Sequence, residues 1–322
     1  MQLSRDKLLH AYRRMATIRA FEERIHIENR TGEIAGFIHL YAGQEAIAVG
    51  VCEHLGDDDY IASTHRGHGH CIAKGCDVPG MMMEIYGRHE GLCKGRGGSM
   101  HIADLDKGML GANAIVGGGP PIAVGAAIAA KIRKNGRVAV SFIGDGASNQ
   151  GTVFEAMNLA VVVKAPKIFV FENNGYGEHT AASYAVGSGD IAARAEAFGM
   201  PVFRADGFDF FSVHDAARDA VDHARSGKGP CAIYAEATRY GGHFEGDPQL
   251  YREKGEIDRF RSENDCILNF RNRVTEASLI DPGELDAIDA EVDHLIETAT
   301  AAAKVAAPPP VSEVLADVYV SY

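Results

Sequence analysis

The sequence predicts an α/β protein, with a doubly wound and mostly parallel sheet flanked by helices. Two short apolar runs, at residues 138–143 and 167–171, are bounded by turn-forming residues. Continuous apolar runs of this kind are typical of strands that are buried on both faces of a parallel sheet. The intervening residues 148–163 repeat apolar side chains at helical spacing. Strand, helix and strand in this order form one unit of a parallel α/β sheet.

The remaining elements follow from the same patterns. Leu8, Tyr12 and Met15 recur at helical spacing among charged residues, so residues 4–30 are predicted to form an amphipathic helix. Further helices are predicted at 44–55, 78–87, 122–132, 189–198 and 209–225, and short strands at 61–64, 202–204 and 231–235.

A C-terminal helix is predicted by one apolar stripe, and Pro308-Pro309-Pro310 should end it. The apolar tail at 311–322 is expected to contact another subunit. The stripe consists of Leu285, Ile288, Val292, Leu295 and Ile296.

Residues 91–119 are dense in glycine. Disorder is one interpretation of such a stretch. A folded loop that lets the backbone approach a ligand is the other, because glycine tolerates backbone conformations that other residues avoid.

Length and composition limit the possible classes of protein. The 322 residues contain no linker or repeat, so we expect a single domain over 1–322, with an N-terminal helical segment and a C-terminal helix and tail. The net charge of −12 and the lack of a basic run exclude a nucleic-acid partner. No apolar run has the length of a membrane span. The six cysteines form no Cys-x-x-Cys pair, so reduced thiols and a cytoplasmic location are expected.

A glycine turn, Gly144-Asp145-Gly146, follows the first strand, and Asn174 follows the second, 29 residues after the aspartate. Because ligands of such sheets bind outside the carboxyl ends of the strands, we expect these two side chains to lie together. A carboxylate and an amide oxygen are hard ligands of the kind that Mg²⁺ or Ca²⁺ selects, and Mg²⁺ commonly also binds phosphate. The sequence therefore predicts a metal–diphosphate site at this edge of the sheet.

Other interpretations of the glycine turn are less consistent with the residues. A dinucleotide fingerprint needs a third glycine where Asn149 stands, so a nicotinamide-dependent dehydrogenase is disfavoured. A P-loop needs Gly-Lys-Ser/Thr, which does not follow. A tight turn without a ligand would explain Gly-Asp-Gly alone, but not its pairing with the run at 172–177. A protein that binds a diphosphate cofactor at this site without catalysing a reaction remains an alternative.

The pairing of these two motifs is that of thiamine diphosphate proteins, and the chain resembles one family of them. It is similar to the α subunit of the decarboxylating component of 2-oxo acid dehydrogenases, which act on pyruvate, branched-chain oxo acids or acetoin. The similar segments include 37–45, 97–101 and 239–243, in the family's order. The resemblance implies a thiamine diphosphate-binding fold, thiamine diphosphate and Mg²⁺ as cofactors, and an oxidoreductase activity.

The resemblance also implies which residues bind the metal and the cofactor. The metal ligands would be the Asp145 carboxylate, the Asn174 side-chain oxygen and the Tyr176 backbone carbonyl. The fork-shaped guanidinium of Arg66 suits the diphosphate. The other implied cofactor contacts are His65, His243, the backbone N–H groups of Gly146 and Ala147, and the loop of Ala114, Ile115 and Val116 beside the aminopyrimidine ring.

Three histidines are implied to act in catalysis: His243, His39 and His65. Each of them alone would be interpreted as a packed or surface histidine, and only the flanking motifs favour an active-site role. A zinc cluster of His65, His68 and His70 is disfavoured, because no cysteine or carboxylate lies at metal-ligand spacing.

The segments 65–70 and 243–247 resemble acetoin dehydrogenase α subunits most. The resemblance therefore implies cleavage of the C–C bond next to the carbonyl of acetoin, with the acyl group passed to a lipoyl-bearing acyltransferase component. Pyruvate or branched-chain oxo acid decarboxylation is the alternative. A β subunit would supply the activating glutamate, in an α₂β₂ heterotetramer. Three departures from the family pattern put the substrate in doubt: Gly241 for histidine, Ala114 for glycine, and an added Pro120. Phe244 stands where mitochondrial pyruvate enzymes carry a phosphorylated serine, so that regulation is not expected, and His65 stands where many relatives carry tyrosine.

Overall fold

The computed structural model describes residues 3–320, so the last two residues of the predicted tail lie outside the described part of the chain. The helices are α1 (Arg5–Asn29), α2 (Glu45–Cys52), α3 (His68–Lys74), α4 (Val78–Ile85), α5 (Gly119–Arg133), α6 (Gly151–Val162), α7 (Ala182–Ala185), α8 (Ala192–Ala197), α9 (Phe210–Arg225), α10 (Glu256–Glu263), α11 (Cys266–Glu276) and α12 (Pro282–Val305). The strands are β1 (Tyr60–Ala62), β2 (Met109–Gly111), β3 (Ala139–Gly144), β4 (Lys167–Asn173), β5 (Tyr176–Gly177), β6 (Thr180–Ala181), β7 (Val202–Asp206) and β8 (Cys231–Glu236).

Six strands form one parallel sheet in the order β2-β1-β3-β4-β8-β7. β3 and β4 pair from Ala139 opposite Lys167 to Gly144 opposite Glu172, so their carboxyl ends reach the same edge. The predicted fold class is therefore confirmed.

The side chains of the central strands alternate between two cores. Val140 and Val170 enter the core formed with α1–α4, α9, α11 and α12. Ile143 and Phe171 enter the core beneath α5, α6 and α8. Burial on both faces explains why these strands are apolar along most of their length.

Several elements differ from the predictions. α2 ends at Cys52 rather than at residue 55, and α5 begins at Gly119, with Pro120 in its first turn, where proline needs no N–H partner. The short strand β2, the β5–β6 hairpin and the helices α10 and α11 were not predicted. β2, β5 and β6 have only two or three residues each, whereas α11 buries Cys266, Phe270 and Val274 at helical spacing and was missed despite that pattern. Leu295 of the predicted apolar stripe is 36% exposed, whereas Leu285, Ile288, Val292 and Ile296 are buried.

The glycine-dense stretch is folded around one buried carboxylate. Glu84 of α4 is fully buried and accepts hydrogen bonds from four backbone N–H groups. The donors are the N–H groups of Cys93, Gly95, Gly97 and Gly98, at 2.7–3.0 Å. Charge-assisted bonds of this kind are stronger than neutral ones, so they hold the loop in place. The interpretation as a folded loop is the right one.

All six cysteines are free thiols, as expected. Among residues 3–320, no helix combines the length and the apolar character that a bilayer crossing requires.

Candidate active site

A cavity of about 320 Å³ opens at the carboxyl ends of β3 and β4. This volume lies in the range of sites that hold small-molecule ligands. Its walls come from four segments that are far apart in sequence: 63–66, 113–120, 142–147 and 172–178, with Gln44, Gln150 and His243 between them. The cavity lies where open parallel sheets bind their ligands.

At one end of the cavity, three oxygen atoms converge; we call Asp145, Asn174 and Tyr176 the oxygen corner. Asn174 Oδ1 lies 3.1 Å from the Tyr176 carbonyl oxygen and 3.3 Å from Asp145 Oδ1. None of these oxygens carries a proton to share with the others. Adjacent ligands of an octahedral Mg²⁺ ion are about 2.9 Å apart, given Mg–O distances of about 2.1 Å. The oxygen corner therefore has the spacing and the chemistry of a site for a hard cation.

Gln44 contacts the Asn174 amide, which has two possible orientations at the oxygen corner. Asn174 Nδ2 donates to Gln44 Oε1 at 3.2 Å, which leaves Asn174 Oδ1 directed toward Asp145. A rotation of the amide by half a turn would instead place its N–H groups against the two oxygens. Gln44 is 1% exposed, and its Nε2 has no hydrogen-bond partner within the described chain. This donor is therefore available to a ligand.

Asp145 is buried at 3% exposure, and its Oδ2 has no partner among the described residues. Burial raises the pKa of Asp145 from 3.8 to about 6. A buried carboxylate without a partner is unfavourable on its own, and a cation would remove that cost. The fit to a metal ion therefore rests on an unpartnered atom as well as on spacing.

Arg66 lies on the cavity wall and joins two loops. Its guanidinium donates to the carbonyl oxygens of Leu40 at 2.6 Å and of His243 at 2.9 Å. Burial, together with the charge of Arg239, lowers the pKa of Arg66 to about 9. Burial of this charge without a carboxylate partner favours an anion in the cavity.

His39, His65 and His243 come together; we call them the histidine corner. Their ring centroids are 4.6 Å apart for His39 and His65, 5.0 Å for His39 and His243, and 5.2 Å for His65 and His243. Burial and then the Arg66 charge lower the pKa of His39 to about 3, of His65 to about 2 and of His243 to about 4. All three rings are therefore neutral at pH 7 in the free protein.

The structure brings most of the predicted site residues to the cavity. Arg66, His65, Val116, Asp145, Gly146, Ala147, Asn174, Tyr176 and His243 line it. Ala114 does not; its neighbours Asn113 and Ile115 do. His39 reaches the site through its contacts with the other two rings.

His68 and His70 point elsewhere, as the rejection of a His65–His68–His70 zinc cluster requires. His68 bonds the buried Glu22 and Ser99, each at 2.9 Å. His70 bonds Ser63 at 2.6 Å and Glu172 at 3.1 Å.

Sequence reasoning missed Gln44, Ser63 and Glu172. Glu172 also accepts a hydrogen bond from the Tyr41 hydroxyl, so a buried Tyr41–Glu172–His70–Ser63 network forms the floor of the cavity. Gln44 lies in the similar segment 37–45, and Glu172 comes directly before the asparagines. Their positions in these motifs are the signal that could have found them.

A parallel α/β sheet that offers hard oxygen ligands beside a buried arginine has the chemistry that suits a metal–phosphate group. The family model for the "Dehydrogenase E1 component" matches residues 13–312, and the chain belongs to this family. It is therefore a thiamine-dependent dehydrogenase component.

Three relatives show how closely the chain follows the family. Subunit alpha of an acetoin:2,6-dichlorophenolindophenol oxidoreductase from Cupriavidus necator is 53% identical, over all of this chain and 97% of the relative. The protein of the same name from Bacillus subtilis is 51% identical, over all of this chain and 96% of the relative. A pyruvate dehydrogenase E1 component subunit alpha from Rhizobium meliloti is 40% identical, over 98% of this chain and 91% of the relative.

Proposed function

We propose that this chain is the α subunit of a thiamine diphosphate- and Mg²⁺-dependent enzyme that cleaves the C–C bond next to the carbonyl of acetoin. The acyl group would pass to a lipoyl-bearing acyltransferase component. The observation that carries the proposal is the oxygen corner beside Arg66, where the buried Asp145 Oδ2 has no hydrogen-bond partner among the described residues. The two acetoin relatives, at 53% and 51% identity, support the substrate over pyruvate, at 40%.

In this proposal the oxygen corner holds Mg²⁺ through Asp145, Asn174 and the Tyr176 carbonyl. Arg66, His65 and the N–H groups of Gly146 and Ala147 bind the diphosphate. Ile115 and Val116, with the neighbouring Ala114, shape the space for the aminopyrimidine end. When it is bound, thiamine diphosphate supplies the carbon nucleophile and the electron sink.

The histidine corner is proposed to face the reacting end of the substrate. At pH 7 its neutral rings donate and accept hydrogen bonds rather than provide a positive charge. A bound diphosphate opposes the Arg66 charge that helps to lower the three pKa values. It therefore raises those pKa values toward the range where His243, His39 or His65 exchanges a proton.

A β subunit is proposed to complete the site, in an α₂β₂ heterotetramer. Two large apolar side chains at the cavity rim are exposed: Ile115 at 72% and Val116 at 42%. Apolar side chains that cluster beside a ligand site are typical of a covered surface. Of the carboxylates that line the cavity, Asp145 is a proposed metal ligand, Glu172 bonds Tyr41 and His70, and Glu178 is exposed on the turn between β5 and β6. We therefore propose that the activating glutamate comes from the β subunit. We place the assembly in the cytoplasm, a location that suits the free thiols.

The test is to co-express the chain with its β subunit and to measure dichlorophenolindophenol reduction with acetoin, pyruvate and branched-chain oxo acids. Acetoin is expected to give the highest kcat/KM. A preference for pyruvate would assign the chain to the alternative. NADH binding, measured by fluorescence, without thiamine diphosphate binding would contradict the proposal altogether.

A further inference from the structure

We propose that the histidine corner is a second cation site, which takes a borderline transition-metal ion such as Zn²⁺ and is separate from the Mg²⁺ site. His39, His65 and His243 each offer one ring nitrogen, and these three nitrogen atoms lie within 4.8 Å of one another. The oxygen corner offers carboxylate, amide and carbonyl oxygens, whereas this corner offers only imidazole nitrogens. Zn²⁺ accepts imidazole readily, and Mg²⁺ strongly prefers oxygen.

Two ring nitrogens in the histidine corner make no hydrogen bond to the described residues. His39 Nδ1 and His65 Nε2 are buried and have no hydrogen-bond partner. A buried polar atom without a partner is unfavourable, and coordination would satisfy both atoms at once. The nitrogen atoms of a tetrahedral zinc site are about 3.3 Å apart, so small ring rotations would close the three around an ion.

The charges around the histidine corner oppose a dication without blocking it. Arg66 and Arg239 both lie near His65 and His243. The Arg66 donors are directed at the carbonyls of Leu40 and His243, away from the ring nitrogens' lone pairs. Asp247 Oδ2, which accepts from the backbone N–H of His243 at 2.7 Å, supplies a compensating negative charge. The site is therefore expected to be weaker than a structural zinc site and reversible.

This inference rests on the proposed function for its consequence: an ion at the histidine corner occupies the ring nitrogens that the substrate would use. Zn²⁺ is then expected to inhibit acetoin cleavage at saturating Mg²⁺, and excess thiamine diphosphate should weaken the inhibition because its diphosphate also uses His65. A zinc chelator that leaves Mg²⁺ bound should restore the activity.

The binding test uses Co²⁺ and Zn²⁺ on the assembled enzyme, with excess Mg²⁺ to saturate the oxygen corner. We expect one Co²⁺ per α chain, with the visible bands of a four- or five-coordinate ion, and its displacement by Zn²⁺. His39→Gln, His65→Gln and His243→Gln should each weaken the Co²⁺ affinity by more than about tenfold, since each removes a ligand.

Two control variants make the outcome decisive. His294→Gln removes an exposed histidine of α12, and Asp145→Asn disables the oxygen corner; both should leave Co²⁺ binding unchanged. Circular dichroism identifies any variant that fails to fold, and the two remaining ligand variants then carry the test. Absent Co²⁺ binding, or binding unchanged in the folded His→Gln variants, would overturn the proposal. Co²⁺ binding without binding of Mg²⁺ and thiamine diphosphate would instead overturn only the proposed function.

Discussion

The oxygen corner and the histidine corner face the same cavity but are built in opposite ways. Asp145, Asn174 and Tyr176 all follow the carboxyl ends of β3 and β4, which pair directly. The histidines come from three distant segments, around residues 39, 65 and 243. The oxygen corner therefore depends on the local register of the sheet, and the histidine corner depends on how three loops pack.

The two corners also differ in how they are stabilised. The oxygen corner leaves Asp145 Oδ2 without a partner, so it is under strain until a cation binds. The loops of the histidine corner are tied by Arg66, which bonds the carbonyls of Leu40 and His243. The oxygen corner is preorganised for a ligand at some cost in stability. The histidine corner, through the bonds of Arg66, helps to stabilise the site. Four predictions test this difference.

The largest effect is expected for Asp145→Ala on cofactor binding. The variant removes a charged metal ligand, so Mg²⁺-dependent binding of thiamine diphosphate should weaken by more than about a hundredfold, or roughly 3 kcal/mol. Calorimetry on the assembled enzyme measures this, with the exposed Asp293→Ala as the matched control. Unchanged binding would remove the oxygen corner from the proposed function.

Arg66→Lys is expected to loosen the histidine corner even without a cofactor. Lysine keeps the charge but lacks the planar guanidinium with its two donating N–H groups, so at least one of the two charge-assisted hydrogen bonds is lost. The free energy of unfolding should fall by about 1.5–3 kcal/mol. The thermal midpoint should fall in the absence of thiamine diphosphate. A midpoint equal to that of the parent would show that Arg66 does not tie these loops.

Asp145→Ala should have the opposite effect on the stability of the metal-free protein. The pKa of Asp145 in the folded chain, about 6, is above its ordinary value of 3.8. The protonated form is therefore favoured by folding, and this contribution is complete below pH 3.8 and is lost as the pH rises through 6. At pH 7 the variant should be more stable by up to about 3 kcal/mol, because each tenfold change in a protonation equilibrium corresponds to about 1.4 kcal/mol.

The measurement for this third prediction is the free energy of urea unfolding between pH 4.5 and pH 7.5, values that bracket the pKa of about 6. Without Mg²⁺, the parent should lose stability relative to the Asp145→Ala variant over this range. With Mg²⁺ the difference should shrink or reverse. Parallel pH profiles would refute the idea of strain at Asp145.

The smallest effect is expected for Gln44→Leu. Without Gln44 Oε1, the Asn174 amide is free to turn its N–H groups toward Asp145, so Mg²⁺ affinity should fall about tenfold, or about 1.4 kcal/mol. In an Asn174→Asp background both side-chain atoms are oxygens, and the same substitution should cost much less. An equal loss in both backgrounds would mean that Gln44 does not orient Asn174.

Parts of the fold were predictable because they depend on short-range pattern. β3, β4 and the helix between them are continuous apolar or periodic segments, and α1 and α12 show clear stripes. β2 has three residues and acquires its identity only by pairing with β1. The loop at 91–98 looked compatible with disorder, because nothing in its own sequence shows that Glu84 binds its backbone.

The sequence by itself determined the sheet and the oxygen corner. A strand–helix–strand unit brings the carboxyl ends of neighbouring parallel strands together whatever the rest of the chain does. Only the tertiary structure decided the histidine corner, the role of Gln44 and the Tyr41–Glu172–His70–Ser63 network. Their members are far apart along the chain, and their meeting depends on how loops and helices pack around Arg66 and the buried carboxylates.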